Sequence, residues 1–288
     1  MTRRILSAAS LDQHEIAALL ARSEELRSGA APVAESRQLG LVFFEPSLRT
    51  RTGFTAAAHR LGWPTPIEVL ERRASEVSMP ESADDTIAVL SAYVETLVVR
   101  SHRPIGEIAR HVSAGVGLVN AGDRGPAAEH PTQALIDIFA MEQLVGPLSS
   151  LWVVLCGDLR MRAARSLLTL FVSCPPGELL LATDPALKEG LELPDGLHHQ
   201  MVESWRDLSN VDALHAVGIP HGAVDEDVRT RLRVDRAGLR CLSERGRVFS
   251  PMPVIDEIAQ SVRDDQRMAY LAQSALGLAV RMALLESV

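Results

Sequence analysis

Ser47, Arg49 and Thr50 stand together in the segment Phe43-Phe44-Glu45-Pro46-Ser47-Leu48-Arg49-Thr50-Arg51-Thr52-Gly53-Phe54. There an apolar run gives way to a turn rich in hydroxyls and arginines, and then to a helix. The free N–H groups and the positive dipole end of a helix start attract anions. Hydroxyls add donors, and a guanidinium can grip two oxygens at once. The combination suits phosphate. Taken alone, the segment is equally a capped helix with solvated arginines.

A second segment, Glu129-His130-Pro131-Thr132-Gln133-Ala134-Leu135-Ile136-Asp137, puts proline at a first helical position. His130 and Gln133 then lie about one turn apart, and either can donate to a carbonyl oxygen. A lone histidine before a helix is also a common cap or surface residue. Arg100 closes a third apolar run, 96–100. In parallel α/β sheets the carboxyl ends of strands line the ligand crevice. Ser47, Arg100 and His130 each follow a predicted strand, so all three can reach one crevice.

The elements that must position these groups alternate along the chain. Strands are expected at 39–44, 96–100 and 116–121, with helices at 52–61, 84–94 and 131–144. Gly146-Pro147 then marks a domain boundary. A second set follows: strands at 151–156, 178–182, 211–217 and 247–249, and a helix at 162–172. This pattern predicts an α/β fold of two doubly wound, parallel-sheet domains. The boundaries are 1–145 and 146–288, with the last helix, about 267–288, packing back on the first domain.

Composition narrows the function. The chain has 288 residues, 47% hydrophobic and 23% charged, with a net charge of −8. Globular order is expected, and a nucleic-acid or anionic-membrane surface is not. An anionic substrate would need a local positive pocket. Lys188 is the only lysine among 29 basic residues, and there is no GxxxxGK[ST] phosphate loop or GxGxxG fingerprint. Cys156, Cys174 and Cys241 are too far apart for a zinc site or disulfide framework. His198-His199, His215 and His221 lack metal-ligand spacing, so no metal is expected. Trp63, Trp152 and Trp205 are expected to be packing residues. The start carries no signal-like apolar run, and the tract 268–285 is interrupted by Gln273 and Arg281. A cytoplasmic protein is the expectation.

The motifs together resemble the aspartate and ornithine carbamoyltransferase family. Its signature is Ser-Thr-Arg-Thr-Arg after a strand, an arginine at a strand end, then His-Pro-x-Gln. This chain has Ser47-Leu48-Arg49-Thr50-Arg51, Arg100, and His130-Pro131-Thr132-Gln133. Thr132 is similar to the aspartate branch. The flanks agree: Asn120-Ala121-Gly122-Asp123, Gly157-Asp158-Leu159 and Val254-Ile255-Asp256-Glu257-Ile258. The resemblance covers essentially the whole chain.

The resemblance implies transfer of a carbamoyl group from carbamoyl phosphate to an amine acceptor, in pyrimidine biosynthesis, without metal or organic cofactor. The first domain would bind carbamoyl phosphate and the second the acceptor. Ser47, Leu48 (through its N–H), Arg49 and Thr50 would hold the phosphate. Thr50, Arg100 and His130 would polarise the carbamoyl carbonyl, and Gln133 would orient its amine. The resemblance also implies a homotrimer or higher oligomer in which a neighbour's loop completes each site, with a possible partner subunit.

The chain departs from the family in places that matter chemically. Leu48 replaces the first threonine of the signature. In the neighbour-donated loop Ser75 matches the family serine, but Met79 aligns with its lysine; Arg72 and Arg73 are the nearby cations. Arg162 matches an arginine that binds the acceptor carboxylate. The later Arg-x-Gln segment is Gly218-Ile219-Pro220 here, in a shortened loop. His-Pro-Leu-Pro-Arg becomes Ser250-Pro251-Met252-Pro253-Val254, where Met252 and Pro253 keep carbonyls that can reach the carbamoyl group. A dicarboxylate acceptor needs several cationic partners. Two readings follow. One is a working carbamoyltransferase, whose acceptor the resemblance implies to be aspartate but whose departures point to a less anionic acceptor or a repurposed pocket. The other is a weak or inactive homologue acting as a structural or regulatory subunit.

Overall fold

The computed structural model describes residues 3–33, 35–70 and 81–288. It contains two compact units, Met1–Thr132 with Gly277–Val288, and Gln133–Leu276. The division falls within a helix, upstream of Gly146-Pro147.

The first unit is built on a five-stranded parallel sheet. Its strands are β1 (Arg4–Ile5), β2 (Leu39–Phe43), β3 (Ile67–Leu70), β4 (Thr96–Arg100) and β5 (Gly117–Asn120), in the order β1-β5-β4-β2-β3. The central strands read as unbroken apolar runs, Leu41-Val42-Phe43 and Leu97-Val98-Val99, because both faces are buried. β3 is one of the two edge strands and is largely exposed. Helices α1 (Gln13–Arg27), α2 (Leu48–Arg60), α3 (Ala83–Leu90) and α4 (Ile105–Ile108) belong to this unit. α1 opens with a capping box: Asp12 Oδ1 accepts from Glu15 N–H at 2.8 Å, and Glu15 Oε2 accepts from Asp12 N–H at 2.9 Å. Arg22 of α1 then pairs with Glu286 at 2.7 Å, tying the chain's last helix to this unit.

α5 (Pro131–Leu144) leads into the second unit. Its strands are β6 (Trp152–Gly157), β7 (Glu178–Ala182), β8 (Gln200–Val202), β9 (Val211–Val217) and β10 (Leu242–Phe249), all parallel, in the order β10-β9-β6-β7-β8. α6 (Arg162–Ser173) and α7 (Glu226–Leu232) belong to this unit, and α8 (Tyr270–Ser287) is the last helix. β10 is longer than the expected 247–249. Its polar first half pairs with β9 through Leu242 and Val211, then resumes at Arg247 and Ala213 after a register shift. Buried Asp212 supports that half, accepting from Ser243 Oγ at 2.8 Å and Arg245 Nε at 2.9 Å.

Two further expectations need correction. α2 begins at Leu48, four residues before the expected 52, so the hydroxyl- and arginine-rich run is itself the helix's first turn. Trp152 is 46% exposed while Trp63 and Trp205 are buried; Trp152 is the first residue of β6, on its exposed end. No helix among the described residues is long and apolar enough to cross a membrane.

Gly157 ends β6 with φ 116°, and a Cβ there would lie 1.9 Å from the Val217 carbonyl oxygen of β9. Backbone cannot yield as a flexible side chain can. Gly157→Ala therefore combines left-handed strain with overpacking and is expected to cost about 4 kcal/mol. Chemical denaturation should read this as a large drop in midpoint at unchanged slope.

Candidate active site

β2, β4 and β5 are neighbours, and their carboxyl ends carry the candidate residues of the first unit. Phe43 pairs with Arg100 and Val99 with Asn120 in the register. The order in which successive strands join this parallel sheet reverses between β2 and β4, the kind of switch point where open α/β sheets bind ligands. Phe44 N–H donates to the Arg100 carbonyl at 2.9 Å, so the segment leaving β2 stays beside Arg100 before α2 begins.

Ser47 is the N-cap residue of α2, in extended conformation, but its side chain does not cap the helix. Its hydroxyl donates instead to Thr50 Oγ1 at 3.0 Å. Among the described residues the first-turn N–H groups thus lack the N-cap side-chain acceptor that a helix start otherwise recruits. Thr50 is buried, and Leu48 is 72% exposed, so its side chain adds nothing to the turn. Arg49 has no carboxylate partner among the described residues, and partial dehydration holds its pKa below the ordinary arginine value. Arg51, by contrast, pairs with Glu68 at 3.5 Å. The turn thus combines open N–H groups, two linked hydroxyls and one unneutralised guanidinium.

Arg100 differs from Arg49. Its Nη1 donates to the Ala121 carbonyl at 3.2 Å, and its Nη2 lies 3.6 Å from Glu45 Oε2. Glu45 is shared with Arg124. The carboxylate therefore aligns Arg100 along the crevice.

His130 is buried and immediately precedes α5. Thr132 Oγ1 lies 3.2 Å from its Nδ1. The loop that delivers it is fixed by three side chains. Asn120 donates to the Leu6 carbonyl at 2.8 Å and accepts from Gly122 N–H at 2.9 Å. Asp123 accepts from Ile105 N–H at 2.8 Å and Glu129 N–H at 2.6 Å. Glu129 accepts from Ser7 Oγ at 2.5 Å and Ala8 N–H at 2.7 Å. The Asn120 to Asp123 motif is thus the mount for His130.

Gln133 sits in the first turn of α5, where its Nε2 donates to Asp137 Oδ1 at 2.7 Å. Asp137 is completely buried. It also accepts from Gln273 Nε2 at 2.6 Å and stands 3.2 Å from His215 Nε2. Gln273 Oε1 in turn accepts from Ser250 N–H at 3.1 Å. This network was not expected from the sequence, although the four-residue spacing of Gln133 and Asp137 was a readable signal. It fixes the amide of Gln133 with its nitrogen toward Asp137, leaving the oxygen as the outward acceptor.

In the second unit Arg162 is the first residue of α6. The turn before it is held by Asp158, whose Oδ1 accepts from Arg160 Nε at 2.8 Å. Met252 and Pro253 follow β10 and are joined by a cis peptide. Ser250 Oγ donates to buried Glu257 at 3.1 Å and accepts from Met252 N–H at 3.1 Å, which shapes that loop. The shortened loop Gly218-Ile219-Pro220 has its own clamp. Buried Arg229 donates to the Ile219 carbonyl at 3.1 Å and to the Pro220 carbonyl, and pairs with Asp256 at 2.7 Å. Its charge is committed to the loop. Ser75, with Met79, Arg72 and Arg73, lies outside the described residues. Among the described residues no group of three or more His, Cys, Asp or Glu is placed to hold a metal ion.

Residues 3–143 match the family model described as aspartate/ornithine carbamoyltransferase, carbamoyl-P binding domain. The aspartate carbamoyltransferase catalytic subunit of Archaeoglobus fulgidus is 30% identical over 100% of this chain and 99% of its own. That of Hyperthermus butylicus is 33% identical over 98% and 95%. Among solved structures, the catalytic subunit of M. jannaschii aspartate transcarbamoylase superposes with a TM-score of 0.83 at 26% identity, covering 99% of this chain and 97% of that one. The Trypanosoma cruzi aspartate transcarbamoylase solved with carbamoyl aspartate and phosphate gives 0.80 at 27% identity, covering 99% and 95%. An uncapped helix start, an arginine at the end of β4, a histidine in the loop between β5 and α5, and relatives aligned along the full length agree. The chain belongs to the aspartate/ornithine carbamoyltransferase family, nearer the aspartate branch, and is a carbamoyltransferase.

Proposed function

We propose that this enzyme takes carbamoyl phosphate at the start of α2 and transfers its carbamoyl group to the amino group of an acceptor less anionic than aspartate. The observation that carries the donor half is Arg49, unneutralised among the described residues beside uncapped N–H groups. Ser47, Arg49, Thr50 and the Leu48 N–H hold the phosphate. Thr50, Arg100 and His130 donate to the carbamoyl oxygen, where negative charge develops. In the tautomer that carries its proton on Nε2, His130 accepts from Thr132 Oγ1 at Nδ1, 3.2 Å away, and donates from Nε2 to the oxyanion. The outward oxygen of Gln133 accepts from the carbamoyl NH₂, and a carbonyl of the Met252-Pro253 segment does the same.

The neutral amine attacks the carbonyl carbon, forming a C–N bond. The C–O bond to phosphate then breaks, and the departing phosphate takes the amine proton. Catalysis is positioning and electrostatic stabilisation.

Arg162 grips one acceptor carboxylate. A second carboxylate would find Gly218-Ile219-Pro220 where related chains carry a cation, and Arg229 nearby in sequence is already paired with Asp256. A carboxylate buried without a partner costs several kcal/mol. We also infer a homo-oligomer, a trimer by family resemblance, with Ser75 of one copy serving a neighbour.

The test is a transfer assay with labelled carbamoyl phosphate and a panel of amines. Turnover with a monocarboxylate amine is expected to exceed that with aspartate by about tenfold or more in kcat/KM. Aspartate as the best substrate would overturn the acceptor assignment. Donor binding without turnover on any amine would favour a structural or regulatory subunit.

A further inference from the structure

The phosphate turn has a second cation behind it. Arg281 lies on α8, in the stretch that belongs to the first unit. It is 6% exposed. A Cβ at Gly53 would lie 2.8 Å from its Cζ, Nε and Nη1, so the guanidinium fills the space that this glycine leaves open in α2. Its Nε is buried without a hydrogen bond. No carboxylate pairs with it among the described residues. Its aromatic neighbour is Phe54, with Cζ 5.8 Å from the ring centroid, at the outer limit of a cation–π contact.

A buried, unpartnered guanidinium is costly, and here it also faces a like charge. Burial first, and then the neighbouring charge of Arg49, push its pKa down to about 10. It remains protonated at neutral pH. Two arginines that repel each other, next to a helix start with open N–H groups, make a region short of negative charge. Packing alone would be better served by a methionine or leucine of similar length. An anion bound on the other side of the turn would offset that cost.

We propose that Arg281 is a second cation of the phosphate site, acting through the start of α2 on the anion that Arg49 holds. This rests on the phosphate reading of that turn. Arg281 contributes through space and supports binding without touching the reacting atoms.

The test is calorimetric titration of the whole chain with inorganic phosphate, for wild type, Arg49→Ala, Arg281→Met and Arg281→Lys, with thermal unfolding of each. Arg281→Met is expected to weaken phosphate about tenfold, while Arg281→Lys, which keeps the charge, stays within about threefold. Without phosphate, Arg281→Met should unfold at the same or a higher temperature than wild type, since the buried charge is gone. Added phosphate should raise that temperature less than in wild type. Wild-type phosphate affinity in Arg281→Met would overturn the proposal. So would an Arg281→Met protein that is unstable or fails to fold, because that would make Arg281 a structural residue. Failure of wild type itself to bind phosphate would bring down the underlying reading instead. Loss in Arg49→Ala with no loss in Arg281→Met would bring down this inference alone.

Discussion

Arg49→Ala is expected to bind phosphonoacetamide, a stable mimic of carbamoyl phosphate, roughly 30-fold to several-thousand-fold more weakly than wild type. The ligand-free protein should unfold at an unchanged temperature. The size follows from removing one partner of a charge-assisted contact, about 2–5 kcal/mol. The unchanged stability follows from the structure. Arg49 makes no ion pair among the described residues, and its pKa is lowered by dehydration, so the native fold gains nothing from its charge. Replacing a surface side chain that makes no cap bond or ion pair usually changes stability by about 0.5 kcal/mol or less. A residue that matters greatly to the ligand and little to the fold is the signature of a binding group. If the variant lost stability in parallel with affinity, the arginine would be holding the turn together rather than the anion.

His130→Ala is expected to lower kcat by about 10²–10³, with a much smaller change in KM for carbamoyl phosphate. On the proposed assignment the phosphate is held by α2, whereas His130 serves the carbamoyl oxygen, which acquires charge only as the amine adds. Its loss should therefore appear in the step rather than in ground-state binding. Removal of a buried side chain carries some folding cost, which thermal unfolding of the variant would measure separately. Steady-state kinetics of the purified variant gives the split directly. A rise in KM with unchanged kcat would place His130 among the phosphate ligands and contradict the role given to it.

Much of this arrangement could be read from the sequence. Strand β4 and helix α5 were expected with the bounds they have, because an apolar β-branched run and a proline at a helix start are local signals. The placing of Ser47 and His130 after β2 and β5, and of Arg100 at the end of β4, needed only the rule that strand carboxyl ends line the crevice. The early start of α2 was missed because Leu48, Arg49, Thr50 and Arg51 look like a polar turn. Only the backbone shows that they already turn as a helix, with Leu48 exposed at its first position. The capping box at Asp12 and Glu15 is a local signal in the sequence for the start of α1.

What the sequence could not supply was long-range pairing. Asp137 meets His215 and Gln273, which lie 78 and 136 residues further on. No periodicity links them, yet together they set the orientation of Gln133. Arg281 was visible as a charge inside an apolar tract. Whether such a charge is paired depends on tertiary neighbours, and here the neighbours are a glycine and an aromatic ring. Arg229 is a similar case: its role in clamping the loop at Ile219 and Pro220 appears only when α7 is placed.

The most direct test of the account is calorimetric titration of the wild-type chain with phosphonoacetamide at neutral pH. The account expects saturable binding at one site per chain, strengthened at low salt because the contact is largely electrostatic. Absence of binding at millimolar ligand would contradict it, and would mean that the open start of α2 and the free charge of Arg49 do not form a carbamoyl phosphate site.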